Sequence, residues 1–322
     1  MKHVTTILLS SALLALPAAA QVKITQGSGK IAVEINGKAF GDFYVAGAEV
    51  TKPYVWPLRA ASGTYITRMW PMEKVAEEEN EKKDHQHQRG LWFAHDTVNQ
   101  LDFWNNEASY TTPNRGRITL KKPAEVNSGA GQGTIAAIFE WAPMQGDTAP
   151  LLTESRLMTF YSDKDKRTFD LDITLTALKQ VTFGDGKDGV LGIRLRPLLQ
   201  EDKGKAIITN AEGLEKEKAL WGKPSPWCDY SGEINGEKVG IAILDNPANP
   251  RHPVRWHARA YGLFAANPFG VSVFTNNKSQ NGAVTIEPGQ SLRYRYRILI
   301  HPGDVKSADI AGQFAKYAAK AK

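Results

Sequence analysis

Two stretches of this chain alternate so strictly that they leave little choice of secondary structure. In "RTFDLDITLTAL", Phe169, Leu171, Ile173 and Leu175 take every second position, with Asp170, Asp172 and Thr174 between them. In "LRYRYRILI", Leu292, Tyr294, Tyr296, Ile298 and Ile300 alternate with Arg293, Arg295 and Arg297. A period of two puts the apolar set on one face of a strand and the polar set on the other, as in a half-buried antiparallel sheet. Asn36-Gly37 and Asn235-Gly236 separate further alternating runs, and these residues tolerate the positive φ that two-residue hairpins require. More strands are expected over 133–141, 155–161, 190–195 and 239–244. Helical spacing is clear only near the end, where Ser307 is expected to cap a helix carrying Ile310, Phe314 and Tyr317. The expected fold is all-β, a large antiparallel β-sandwich with a C-terminal helix.

The first twenty residues read as a secretory leader: Lys2 and His3, an apolar run from Val4 to Leu16, then Ala18 and Ala20 before Gln21. The remainder, 21–322, is expected to form a single domain, exported to a bacterial periplasm or beyond. No later stretch has the roughly 18 unbroken apolar residues of a membrane-spanning helix. A single cysteine, Cys228, excludes an internal disulfide, so the core must hold the chain together. The formal net charge of +6 is dispersed among nearly as many acids, which disfavours nucleic acid as a partner.

Chemistry-bearing residues cluster in three places. Within "DHQHQRGLWFAH", His85 and His87 stand at i and i+2, which in an extended segment puts both imidazoles on one side. They can serve as acid and base near neutral pH, share a divalent metal, or be ordinary loop residues. A metal needs a third ligand, for which His95 and Asp102 are the nearest candidates. The following "LDFWNNE" sets Asp102 and Trp104 beside amides, which suits either a sugar-binding surface or a core cap. The second cluster, "NPRHPVRWHARAYGLFAANPFG", holds His252, His257, Arg259, Tyr261 and Asn267; a strand over 256–261 would put His257, Arg259 and Tyr261 on one face. In the third, "WGKPSPWCDYSG", Trp227, Asp229 and Tyr230 follow a proline-rich turn that is either packed down or used for a ligand. The charged run "PMEKVAEEENEKKD" before His85 reads as a solvated loop or as a lid over the site. "GDGKDG" at 184–189 spells a dinucleotide-type glycine pattern, but a strand-like run follows it where a helix is needed, so it is a turn.

Taken together, "YVWPLR" at Tyr54, "DHQHQRGLWFAH", "WGKPSPWCDYSG", "WHARAYGLFAANPFG" and "HPGD" at His301 resemble an exported bacterial family known as PmoA-like. The chain departs from that pattern at Gln86 and Gln88, where Pro and His are expected. The resemblance implies a supersandwich similar to galactose mutarotase; no cofactor is expected to be required, with a divalent metal as the alternative. The leading expectation is a carbohydrate-active enzyme of epimerase, lyase or hydrolase type. His87 and His257 would exchange protons, Arg89 and Arg259 would polarise substrate oxygens, and Trp92, Trp104 and Trp227 would stack on sugar rings. His95, Asp102, Asp229, Tyr230, His252, Tyr261 and Asn267 would complete the contacts to a small-molecule or oligosaccharide ligand. The alternatives are a non-catalytic sugar-binding protein and an oxidoreductase with a metal on His85 and His87.

Overall fold

A computed structural model describes residues 21–203 and 206–321. The expected leader, 1–20, lies outside the described residues. Two nine-stranded antiparallel sheets face one another. The first runs, from edge to edge, through Arg255–Ala258, Leu263–Asn267, Gly189–Arg194, Leu91–His95, Tyr54–Trp56, Lys38–Tyr44, Lys30–Ile35, Gln21–Gln26 and Gly129–Ala130. The second is built on the long strands Glu237–Asp245, Ser291–Pro302, Arg167–Ala177, Leu152–Tyr161 and Gln132–Pro143. A two-stranded ribbon, Val181–Phe183 with Val284–Ile286, stands apart from both.

The alternation works as expected. Phe169, Leu171, Ile173 and Leu175 are buried, while Asp170 and Asp172 face outward and pair with Arg297 and Arg293 of the neighbouring strand. Aromatic rings meet edge-on across the interior, Phe40 on Phe169 and Phe43 on Phe139. One pair breaks the pattern: Glu154 and Arg156 point into the core at alternate positions and bond to each other at 2.6 Å. Trp141 Nε1 donates to Glu154, and the Arg156 guanidinium lies over Phe43 and Phe139, so neither charge is left bare. Asn36-Gly37 and Asn235-Gly236 make the expected hairpin turns, all four with positive φ.

The C-terminal helix forms at Ile310–Ala318, but Ser307 does not cap it. Asp309 does, its side chain accepting from Gly312 N, whereas Ser307 Oγ turns back to Asp304. Ile310 and Tyr317 bury against Trp227, Ala242, Leu244 and Leu299 on the outer face of the second sheet. The expected strand over 256–261 is also shorter, because Arg259 N bonds to Leu263 O and Gly262 N to Arg259 O, turning the chain after Ala258. The charged 71–84 run is neither free nor featureless. Buried Glu78 accepts from Met69 N and Trp70 N, and Arg196–Glu77 and Lys203–Glu81 pairs tie the run to the scaffold.

Candidate functional site

Phe93 touches Trp141 and Tyr294 of the second sheet, so its neighbour Trp92 faces away from the interior. Cross-strand register then fixes one row of side chains on the outer face of the first sheet: Tyr44, Tyr54, Trp92, Gly192, Ala265, His257. At about 4.8 Å per strand, His257 stands some 19 Å from Tyr54. Gly192 makes room in the middle, since a Cβ there would meet the rings of Trp104 and Trp92 at 2.6 and 2.7 Å. Trp104 packs edge-on over Trp92 at 4.8 Å, and both are fully buried. These two tryptophans are therefore core beneath a loop, not ring platforms.

On the Tyr54 side the row reaches half-buried Tyr44, with Tyr54 and Trp56 still buried. Tyr44 and Tyr54 are cross-strand partners stacked at 4.8 Å and 11°, and Trp56, two residues on, shares their face. With Glu49, Met72 and Arg89 they line a cleft of about 270 Å³. Beside it, two loops clasp each other through three contacts. Gln86 Nε2 donates to Ser109 Oγ, His87 Nδ1 lies 3.3 Å from the Tyr110 hydroxyl, and Arg89 forks onto Glu107 at 3.0 and 2.5 Å. Gly90 lets the first loop descend onto the sheet: its φ is +55°, and a Cβ would collide with the Val55 carbonyl.

The His85–Gln88 segment is a turn rather than extended, with Gln88 N bonded to His85 O and His85 at φ 50°. Its two imidazoles still approach to 5.7 Å. Arg68 grips the segment from beneath through the carbonyls of Asp84 and His85, and Arg194 donates to Gln88 Oε1 at 2.6 Å. Gln88 thus uses its amide to hold an arginine. His85 stacks on Tyr261, 5.6 Å away, and the guanidiniums of Arg194 and Arg259 lie over the same ring. Two of the sequence clusters therefore meet at His85 and Tyr261.

They do not meet at His257. His257 Nδ1 holds Lys187 O, His95 Nε2 holds Gly184 O, and Asn267 Nδ2 holds Gly186 O. All three expected site residues thus clamp the 184–188 turn, and burial pushes His95 and His257 down to about 4. The others are distributed through the framework. Asp102 caps Trp104 N and Asn105 N and pairs with Arg115. Buried Asp229 bonds to His301, and the Tyr230 hydroxyl donates to Arg259 O and Leu263 O. His252 bonds to Asp245 and stacks on Phe314 of the C-terminal helix, which also covers Trp227. Arg259 pairs with Glu217. Among the described residues no group of three or more His, Cys, Asp or Glu side chains is placed to hold a metal ion.

The sequence reading missed Lys52, Arg68, Arg194, Tyr110 and the Tyr44–Tyr54 pair, because cross-strand neighbours carry no local signal. Lys52 is the most informative of them. Its ammonium is buried and bonds only to neutral oxygens, Trp104 O at 2.9 Å and Asn106 Oδ1 at 2.7 Å. Burial pushes it down to about 7, despite the favourable charge of nearby Glu107. The unfolded chain keeps that proton up to about pH 10.4. Between the two values the unfolded state binds more protons, so the penalty is full below about pH 7 and recedes as pH rises toward 10. Relative to Lys52→Met, the wild-type protein should gain up to about 1.4 kcal/mol per pH unit across that window. Urea midpoints at pH 7, 8 and 9 check this, and a difference independent of pH would refute it.

A family model described as a family of unknown function, DUF6807, matches residues 30–315. No curated protein sequence matches. Among solved structures, the chain is similar to the galactosidase domain of an α-galactosidase–sucrose kinase, with 9% identity, 87% of this chain and 42% of that one covered, and a TM-score of 0.45. An α-galactosidase from Lactobacillus brevis gives 8% identity, 88% and 40% coverage, and a TM-score of 0.42. A galactose mutarotase related enzyme from Lactobacillus acidophilus gives 7% identity, 87% and 97% coverage, and a TM-score of 0.35. The chain spans about two fifths of the length of the two galactosidases.

Proposed function

Because the chain belongs to the DUF6807 family, whose function is unknown, its activity has to be read from its own site, and we propose that it is an exported carbohydrate-active enzyme working by acid–base chemistry on a sugar. The observation that carries this reading is an aromatic-lined cleft whose Arg89 stands two residues along the chain from a buried neutral histidine, His87. Half-buried Tyr44, backed by the edges of the buried Tyr54 and Trp56, offers the apolar surface that a sugar's C–H bonds need, and Arg89 and Glu49 offer donors and acceptors for hydroxyls. Two residues before Arg89, buried His87 is neutral at pH 7 and hydrogen-bonded to Tyr110. A neutral imidazole accepts a proton from a substrate hydroxyl or carbon acid, and Tyr110 can relay it. Arg89, already bonded to Glu107, is fixed in place to face negative charge developing on a substrate oxygen. The leader-like first twenty residues support export as part of the same proposal. The motif resemblance to PmoA-like proteins supplies no activity.

Calorimetric titration of residues 21–322 with a panel of aldoses, ketoses and uronic acids tests the sugar reading. At least one should bind, and Tyr54→Ala should weaken it about tenfold, the scale of losing one aromatic contact of about 1 kcal/mol or more. No binding across the panel, or binding that ignores Tyr54→Ala, would overturn it. Binding without turnover would favour the non-catalytic alternative, to which the depth of His87, 4% exposed, lends some weight.

A further inference from the structure

We propose that the site takes an oligosaccharide rather than a single sugar, with a second ring seated against Trp70; this rests on the sugar reading of the cleft at Tyr54. The 70–74 segment is a wall with two sides. Pro71 and Met72 line the first cleft, while Trp70, Glu73 and Lys74 line a second of about 510 Å³, closed by Val75, Glu79 and Lys83. Trp70 and Met72 are two residues apart, so at most about 7 Å of backbone separates the two linings. A ligand longer than one ring can touch both.

The second cleft sets one aromatic ring, Trp70, among charged groups of both signs. Trp70 is half-buried, and Arg68 lies 5.0 Å from its ring centroid, holding one face. Its backbone is pinned as well, since Glu78 accepts from Trp70 N at 2.8 Å and from Met69 N. A fixed, partly exposed indole among carboxylates and ammonium groups provides a ring platform together with partners for hydroxyls. This also gives the charged 71–84 run a use that neither a solvated loop nor a lid provides. Its ties at Glu77, Glu78 and Glu81 hold it as a standing wall.

The experiment is titration of the wild-type protein, Trp70→Ala, Trp70→Phe and Tyr54→Ala with glucose, galactose and xylose and their 1,4-linked di- and trisaccharides. The disaccharide should bind at least tenfold more tightly than its monosaccharide. Trp70→Ala should remove that gain and leave the monosaccharide unchanged, and Trp70→Phe, which keeps a ring, should restore most of it. Tyr54→Ala should weaken both lengths. Equal affinity for both lengths, or a gain that survives Trp70→Ala, would overturn the oligosaccharide assignment and leave the sugar site standing. A protein that binds no sugar of either length would overturn both. A Trp70→Ala protein that has lost its wild-type melting temperature is replaced by Trp70→Phe against Trp70→Leu, and no difference between those two also counts against the proposal.

Discussion

Replacing His87 by asparagine should lower kcat on the sugar that binds by roughly 10²- to 10⁴-fold, the range of a positioned acid–base group, while its affinity stays within a few-fold of wild type. Asparagine keeps a polar atom near Nδ1 and so keeps the Tyr110 contact, which is 3.3 Å in the wild type. What it loses is the proton acceptor. Burial is the main reason that His87 sits well below the ordinary histidine value, with the positive charges of Lys52, His85, Arg68 and Arg194 adding to it. The base form should therefore persist into mildly acid solution, and kcat/KM should stay flat from pH 7 to below pH 6 before its acid limb appears. An activity that halves near pH 6.5 would assign the proton transfer to a more exposed group, and unchanged turnover in His87→Asn would remove His87 from the mechanism.

Glu107→Ala should cost about 3–5 kcal/mol of stability, the usual result of removing one partner from a buried ion pair. Glu107 is 2% exposed and takes both arms of the Arg89 fork. Burial alone would lower the basicity of Arg89, yet the hydrogen bonds and charge of Glu107 hold it above its ordinary value. Without the carboxylate, a guanidinium is left half-desolvated against the Tyr54 ring, and the field that favours a proton on Lys52 also goes. Arg89→Met in the same chain should recover part of the loss, because it removes the stranded charge as well. Urea unfolding of the two single variants and the double variant reads this directly. A cost below 1 kcal/mol for Glu107→Ala would mean that the pair behaves as a solvent-screened one.

Of the "DHQHQR" segment, Arg89 lines the aromatic cleft, while His87 is buried against Tyr110. The segment's partners Ser109, Tyr110 and Glu107 come from another loop, and no spacing in the sequence connects them. Trp92 and Trp104 looked like ring platforms because tryptophan beside polar residues fits either role. Only packing shows that each covers the other. His257, His95 and Asn267 drew notice as polar residues in aromatic surroundings, and their work is to hold the turn at 184–188. A buried histidine bonded to a backbone carbonyl has the same one-dimensional signature as a catalytic one.

By itself the sequence determined the antiparallel sheets, their buried faces and the hairpins, because a period of two and the φ tolerance of Asn-Gly are local properties. Which strands neighbour one another was decided by the tertiary structure. That choice stacked Tyr44 on Tyr54, left Trp92 roofed by Trp104, and set His257 some 19 Å from the cleft at about 4.8 Å per strand. The site exists only as a consequence of that strand order. Side chains from separate stretches become neighbours through register and burial, which depend on the whole core rather than on any window of the chain.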